Sequence, residues 1–257
     1  MSLYDYRELI KNLVISDLKV KYANSILGFA WSMLNPLLMM LVLYFVFSNI
    51  FKENQNYYAI YILIGLLAWR FFLIGSTSAL NSIVGKSSLV TKIYIPRQIL
   101  TLSSVLSSLV SSTLEFAVLI PLLVIFGPGL YWTIIFFPVI QILFFFMIYG
   151  LSLFLASLFV YFRDLNQIWE VLLQLGIFLS PVIYPLSTVM NNVSANVAFF
   201  YMLNPITRVV VMFRDAFLYG AVPKISDFAV VLATIAVLLS VGTLTFNKLS
   251  RRFAEEV

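Results

Sequence analysis

Long apolar runs separated by short polar stretches dominate the hydropathy pattern of this chain. Most of these runs reach the roughly 20 residues that a helix needs to cross about 30 Å of hydrocarbon. We predict six transmembrane helices, namely Leu27–Phe51, Tyr58–Ile83, Ile99–Phe126, Trp132–Val160, Ile168–Ile183 and Phe228–Phe246. The pattern predicts an all-α membrane protein in which residues 1–257 form a single transmembrane domain.

The N-terminal segment, residues 1–22, has a different pattern. Its apolar positions between Leu3 and Val14 recur at spacings of three and four, with charged residues between them. Such spacing predicts an amphipathic helix, with Ser2 and Asp5 as its start signal. We expect this helix to lie along the cytoplasmic membrane surface rather than to cross it.

Residues 186–220 are apolar but interrupted by polar side chains and a proline. We predict short re-entrant helices here, two in number, that form a lid on the outer side. Asn204 suits the cap of the second helix, Pro205 its first position, and Gly220 the residue just past its end.

Lysines and arginines are unevenly distributed over the loops that connect the predicted spans. The two terminal segments and every second loop carry eleven of them, and the remaining three loops carry four. Because basic residues collect on cytoplasmic loops, both termini are predicted in the cytoplasm. Charged residues, from Asp5 to Lys11, occupy the position of a signal peptide's apolar core, so no cleaved targeting segment is expected.

The amino-acid composition excludes several classes of protein and of reactive site. Hydrophobic residues make up 62% and charged residues 11% of the chain, which excludes an ordinary soluble domain. The sequence has no cysteine and no histidine, so it has no thiol nucleophile, disulfide or imidazole ligand. We expect no metal and no cofactor in this chain, and an enzyme is disfavoured.

Gly85, Lys86 and Ser87 resemble the end of a phosphate-binding loop. That loop needs a glycine where Leu80 stands, and it needs a preceding strand. We therefore expect ATP and magnesium to be bound by a separate chain.

Charges inside the predicted spans are functional candidates. Arg70 falls roughly 20 Å from the outer end of the second span, and Glu115 about 27 Å beyond Arg97. This difference in depth argues against a direct pair, and Arg70 is the better candidate to face a cavity. Glu170 is expected at the cytoplasmic mouth of the fifth span. Serines at intervals of four from Ser104 to Ser112 predict close helix packing.

Several motifs together resemble the transmembrane subunit of ABC-type exporters of O-antigen and other polysaccharides. They are Tyr22, Ser25, Leu27, Gly28, Trp31 and Asn35–Leu37, then Ile95–Leu100, Phe162–Leu165, Ser180–Pro185, and Asn204, Pro205, Arg214 and Gly220. The resemblance covers nearly the whole chain. Arg70 after Trp69 departs from the pattern.

The resemblance implies a homodimer in the bacterial inner membrane, bound to two copies of a cytoplasmic nucleotide-binding subunit. Its substrate would be a polysaccharide on undecaprenyl pyrophosphate, moved outward. The first and fifth spans would face each other across the dimer axis and line the pathway, with Tyr44, Phe51, Phe178 and Tyr184 as a surface for sugar rings. Arg70, a candidate because of its depth in the second span, would face the same pathway.

Two further sets of residues complete this hypothesis. Cations must meet the carrier's pyrophosphate at the cytoplasmic leaflet, since a buried anion without partners is costly. Our candidates are Lys19, Lys21 and Arg97. The loop between the second and third spans would dock on the ATPase through Lys86, Ser88, Thr91 and Lys92.

Alternative functions remain at this point. The same architecture could export teichoic acid, capsule or a small lipophilic substrate. An ion-coupled secondary transporter usually needs carboxylates near the bilayer midplane and repeated halves. Only Glu115 comes close, and no repeat is visible. A membrane enzyme acting on lipid-linked sugars is disfavoured by the missing histidines.

Overall fold

The structure is a computed structural model of the 257-residue chain. It describes residues 3–23, 28, 30–50, 56–92 and 95–256. Throughout these residues the regular elements are helical, so the predicted all-α fold is confirmed. The helices are α1 Arg7–Tyr22, α2 Ala30–Phe45, α3 Tyr58–Leu80, α4 Ser87–Lys92, α5 Gln98–Phe126, α6 Phe137–Tyr161, α7 Leu165–Gly176, α8 Leu186–Asn192, α9 Ala195–Leu203, α10 Pro205–Arg214, α11 Ile225–Leu249 and α12 Phe253–Glu256.

Five of the six predicted spans are long apolar helices in the structure. They are Ala30–Ser48, Tyr58–Leu80, Gln98–Phe126, Trp132–Tyr161 and Ile225–Arg252. The first includes a π-helical turn after α2, and the fourth includes a short 3₁₀ turn before α6. The predicted limits of the first span, Leu27 and Phe51, lie outside the described residues.

Helix α3 is the centre of the bundle. It packs against α2, α5, α6, α7 and α10. In its apolar 18-residue stretch, 78% of the residues are buried inside the protein. A helix that is apolar around its whole circumference is stable only where neighbours cover every face. The main core is accordingly built around α3, from Tyr58 to Ala79.

The two sides of the bundle can be assigned from contacts between helix ends. Tyr161 Oη, at the end of α6, donates to the carbonyl of Leu249, at the end of α11 (2.9 Å). Arg97, just before α5, donates to the carbonyl of Ser250. Helix α1 joins this side through Leu13, which is buried in a cluster with Phe253. We call this the terminal side, because it carries contacts of α1 and of the segment after α11, and the opposite side the far side.

The predicted surface helix, α1, begins at Arg7 after a 3₁₀ turn at Leu3–Tyr6, and Ser2 is outside the described residues. Helical structure is thus present from Leu3 onward, with Asp5 in its first turn. Helix α1 packs along α5. Protein contacts, rather than a membrane surface alone, cover its apolar face.

The fifth predicted span, Ile168–Ile183, needs correction. Its regular helix, α7, ends at Gly176 after 12 residues, about 18 Å, which is too short to span a bilayer. The chain nevertheless follows α3 from end to end. Asn81 donates to Asn166 at the terminal side (3.2 Å), and Tyr58 Oη donates to the carbonyl of Ile183 at the far side (2.8 Å).

Helix α7 lies in close contact with α3 at the residue where it ends. A Cβ on Gly176 would lie 2.8 Å from the Trp69 ring, so only glycine permits this approach. Beyond it the chain continues in turns towards Pro181 and Pro185, which cannot continue a regular helix. The crossing is present, but its second half is irregular backbone enclosed by protein.

The segment after Pro185 contains three short helices, α8, α9 and α10, rather than the two predicted. Asn204 caps α10 by accepting from the N–H of Ile206 (3.0 Å), as predicted. Gly220 has a left-handed φ of +60° and ends the π-helical turn Asp215–Tyr219, also as predicted.

Helices α9 and α10 are bent by 82° at Asn204 and do not cross the bundle together. The Asn204 side chain donates to the carbonyl of Leu179 (3.1 Å), near the far end of the fifth crossing. The carbonyl of Ala216 accepts from Thr133, just before α6 (2.8 Å). Both ends of α10 therefore stay on the far side, which is the geometry of a re-entrant segment.

Candidate functional site

Arg70 of α3 and Glu115 of α5 form a salt bridge inside the bundle. The distance from Arg70 Nε to Glu115 Oε1 is 3.1 Å, and the two side chains are 22% and 2% exposed. The expectation that they lie too far apart in depth is wrong. Arg70 is therefore paired within its own chain.

The error came from the length of α5. This helix has 29 residues and is about 43 Å long, which exceeds a hydrocarbon core of roughly 30 Å. A helix of this excess length can project beyond the hydrocarbon or tilt, so a residue count from Arg97 does not fix the depth of Glu115.

Helix α1 reaches the same part of α5. Lys21 Nζ donates to Ser111 Oγ (3.3 Å), one turn before Glu115. The terminal-side helix and the salt bridge between α3 and α5 are thus connected through one face of α5. Sequence patterns contained no signal for this connection, because Lys21 precedes the first span.

The serines of α5 mediate helix packing, as predicted, and their partners belong to the same chain. Ser112 accepts from Gln141 of α6 (3.0 Å). Three residues before Ser104 on α5, the hydroxyl of Thr101 lies 3.1 Å from the hydroxyl of Ser82, just after α3. Small side chains let the three helices approach closely.

Arg214, which sequence analysis noted only as part of a motif, lies at the centre of the far side. Its side chain is 2% exposed and donates to the carbonyls of Pro181 (2.6 Å), Val182 (2.9 Å) and Tyr61 (3.2 Å). The guanidinium carbon also lies 3.4 Å from the Tyr61 ring centroid. One side chain therefore joins α10, α3 and the irregular half of the fifth crossing.

Gly65 makes room for this arrangement. A Cβ there would lie 2.8 Å from Arg214 Nη2 and would also overlap the carbonyl of Val182. A glycine within α3 was the one sequence signal that could have indicated a close approach to its backbone.

The predicted pathway residues occupy different surroundings. Tyr44 of α2 and Phe178 after α7 are exposed. Tyr184 Oη donates to the carbonyl of Phe178 (2.6 Å) and lies 2.8 Å from the hydroxyl of Tyr201, so these two predicted residues are neighbours. Phe51 lies outside the described residues.

Helix α7 has one polar and one apolar face. Asn166, Glu170 and Gln174 follow one another at intervals of four, and Asn166 donates to Glu170 (2.8 Å). Glu170 and Gln174 border a cavity of about 450 Å³ together with Trp69 and Thr77 of α3. Polar side chains at this depth need a watery cavity or protein partners. Glu170, which is exposed, thus borders an open cavity between α7 and α3.

The three cations predicted to meet the carrier have separate contacts. Lys19 is exposed, and Lys21 contacts Ser111. Arg97 donates to the carbonyl of Ser250 and lies over the Phe253 ring, 5.9 Å from its centroid. Arg97 therefore connects α5 to the C-terminal segment.

The predicted docking loop, which includes α4, lies on the terminal side. Lys86 Nζ pairs with Asp17 of α1 at 2.8 Å, so the loop is connected to the N-terminal helix. Ser88, Thr91 and Lys92 are exposed. Within the described part of the chain, no group of three or more acidic, cysteine or histidine side chains could hold a metal.

A bundle of long apolar helices, a buried salt bridge, a polar face along one crossing and a re-entrant far side define a multi-pass membrane permease. The family described as "ABC-2 type transporter" matches residues 8–218. The chain therefore belongs to the ABC-2 type transporter family and is the membrane subunit of an ABC transporter.

Curated relatives cover almost the full length. The O-antigen export system permease protein RfbA of Myxococcus xanthus is 31% identical over 255 residues, which is 99% of this chain and 97% of the relative. The protein of the same name from Klebsiella pneumoniae is 30% identical over 261 residues, 98% of this chain and 95% of that protein.

Proposed function

We propose that this chain is the membrane subunit of an exporter that moves a lipid-linked polysaccharide of the O-antigen type out of the cytoplasm. The carrier would be undecaprenyl pyrophosphate. The supporting observation is the similarity of nearly the whole chain to two permeases named for O-antigen export. The terminal side would face the cytoplasm of a bacterium, across its inner membrane.

The cavity beside α7 is consistent with a carbohydrate cargo. It combines the Trp69 indole with the carboxylate of Glu170 and the amide of Gln174. Aromatic faces contact sugar rings without fixing their register, whereas amide and carboxylate groups exchange hydrogen bonds with hydroxyls. A polymer that must advance stepwise favours such weak contacts over strong ones.

A homodimer would enclose this pathway. Two spans, Ala30–Ser48 and Ile225–Arg252, are mostly uncovered, since only 17% of the residues in the apolar 18-residue stretch of each are buried inside the protein. These faces are left for lipid or for a second copy. We assign the apolar face of α2 to the second copy, because the family resemblance places the first and fifth spans across the dimer axis, and Tyr44 of α2 to the pathway between the copies.

Energy would come from two copies of a separate ATPase that bind ATP and magnesium. The chain lacks a phosphate-binding loop, since Leu80 stands where the required glycine would be. Purified protein is therefore expected to hydrolyse no ATP by itself. Hydrolysis that co-purifies with the chain and is lost on mutation of Lys86 would contradict this proposal.

The decisive experiment is complementation. A strain that lacks its own O-antigen exporter receives this chain together with the ATPase encoded beside it, and surface polysaccharide is measured by gel electrophoresis and immunoblotting. Restored surface polymer supports the proposal. Accumulation inside the cell despite a stable complex contradicts it, and teichoic acid, capsule and lipophilic dyes are then tested as alternative substrates.

A further inference from the structure

The C-terminal segment, residues 250–256, folds back onto the terminal side of the bundle. It consists of the 3₁₀ turn Ser250–Arg252 and helix α12, which has only four residues. A helix of about one turn is not stable by itself in water, and chain ends are poorly ordered unless contacts hold them. The position of this segment therefore depends on the residues that it contacts.

Phe253 anchors the C-terminal segment in the terminal-side core. Its side chain is fully buried and belongs to the same apolar cluster as Val90 of α4. Its ring centroid lies 5.4 Å from that of Phe246 of α11, in an edge-to-face arrangement, and 6.2 Å from that of Tyr161 of α6. Since buried aromatic side chains contribute strongly to packing, this one residue links the segment to α4, α6 and α11.

Two arginines fix the ends of the segment. Arg97, just before α5, donates to the carbonyl of Ser250 and also lies over the Phe253 ring. Arg163, which follows α6, donates to the carbonyl of Glu256 (3.2 Å). The last carbonyls of a helix have no partner within the helix, so donors from other elements satisfy them. The segment is thus held at its centre by packing and at both ends by hydrogen bonds.

The docking loop is supported by this segment. Apart from the turn Val84–Lys86 that precedes it, α4 packs most extensively against α12 among the described elements. The buried residue of α4 is Val90, in the cluster that contains Phe253. With six residues, α4 is also too short to be stable alone. Two short helices therefore stabilise each other at the place where an ATPase is expected to dock.

We propose that Phe253 is a positioning residue for ATP-driven transport, an inference that rests on the proposed docking of an ATPase at α4. The C-terminal segment holds α4 against the ends of α5, α6 and α11, so that a displacement of α4 is passed to these three spans. Without this anchor, α4 still binds the ATPase but moves independently of the bundle. Phe253 contacts neither nucleotide nor cargo and acts through α4.

Thiol labelling tests whether Phe253 holds α4 in place. The chain has no native cysteine, so V90C introduces a single buried thiol whose reaction with a maleimide reports local opening of α4 in the full-length protein. F253A should raise this labelling rate at least tenfold, because removal of a buried aromatic side chain strongly favours local opening. V209C, a matched probe at a buried position of α10 on the far side, should keep its original rate.

The ratio of export to ATP hydrolysis tests the consequence for transport. In the assembled complex, F253A should export at least fivefold less polymer per ATP hydrolysed, and F253L, which keeps a large apolar side chain, should recover most of this ratio. F162A removes the same side chain from an exposed position on the terminal side and should change neither labelling nor the ratio. A general loss of folded protein would lower hydrolysis and export together and leave the ratio unchanged.

Three results would overturn the proposal. They are unchanged V90C labelling in F253A, an unchanged ratio of export to hydrolysis, and equal increases at V90C and V209C, which would make Phe253 a support of the whole fold. The labelling result does not depend on the cargo. If the wild-type complex exports no polysaccharide, the proposed function fails, and labelling of V90C alone decides whether Phe253 holds α4.

Discussion

Arg70 and Glu115 join α3 to α5 through a 3.1 Å salt bridge in which the carboxylate is the more deeply buried partner. Burying one charge without the other is costly, because the remaining group keeps its desolvation penalty. The two partners should therefore respond unequally to substitution, which leads to the first prediction.

R70M leaves a buried carboxylate and should lower the free energy of unfolding by about 3 kcal/mol. E115Q leaves an arginine that is 22% exposed and should cost about 1 kcal/mol. The R70M/E115Q variant should be more stable than R70M. Thermal unfolding in detergent measures all three. R7M, at an exposed pair with a 3.9 Å separation, is the control and should change nothing, and equal effects of R70M and E115Q would disprove the argument.

Arg214 donates to three carbonyls from two segments, a geometry that a single ammonium group cannot reproduce. R214K should therefore lower the melting temperature by several degrees, and G65A should do the same by displacing the guanidinium. Circular dichroism during heating measures both effects. R251K, at an exposed position, should melt like the wild type; a normal melting temperature for R214K would show that the three carbonyls tolerate a simpler donor.

The pair between Asp17 and Lys86 connects α1 to the predicted docking loop. K86D should place two carboxylates side by side, loosen α1 and reduce ATP-driven export by the assembled complex. Adding D17K restores opposite charges and should recover most of the lost export. K92D, on the exposed end of α4, controls for a change of loop charge alone. Failure of the swapped pair to recover export would exclude this contact as the cause.

The terminal-side loop should dock on the ATPase. The chain has no native cysteine, so S88C and T91C introduce single reactive thiols at exposed positions of α4. Each should crosslink to a bifunctional reagent on the bound ATPase, because both side chains face away from the bundle. V222C, exposed on the far side, should never crosslink. Thiols at 88 and 91 that stay accessible in the assembled complex would place the interface elsewhere.

Tyr44 and Phe178 are exposed aromatic residues on the first and fifth crossings. If they contact sugar rings, Y44A/F178A should reduce polymer export several-fold, since each stacking contact is worth about 1 kcal/mol. The dimer and its ATPase binding should persist. V237A/L244A, which truncates exposed apolar residues of α11, is the matched control. Normal export by Y44A/F178A, or equal loss in the control, would remove these residues from the pathway.

Local sequence signals determined much of the fold. Five apolar runs are long helices because their lengths match a bilayer and their hydrogen bonds are made within each segment. Asn204, Pro205 and Gly220 mark the ends of short elements, since capping depends only on neighbouring residues. The serine spacing on α5 likewise predicted close helix packing.

Tertiary structure alone decided which polar groups meet. The pairing of Arg70 with Glu115 depends on the register of α3 against α5, and counting residues along one helix does not give that register. Gly176 packs against a tryptophan from another helix, and the partners of Arg214 are carbonyls with no side-chain signature. Periodicity reports the contacts of a segment with its own neighbours, whereas register and depth between helices arise only when all crossings pack together.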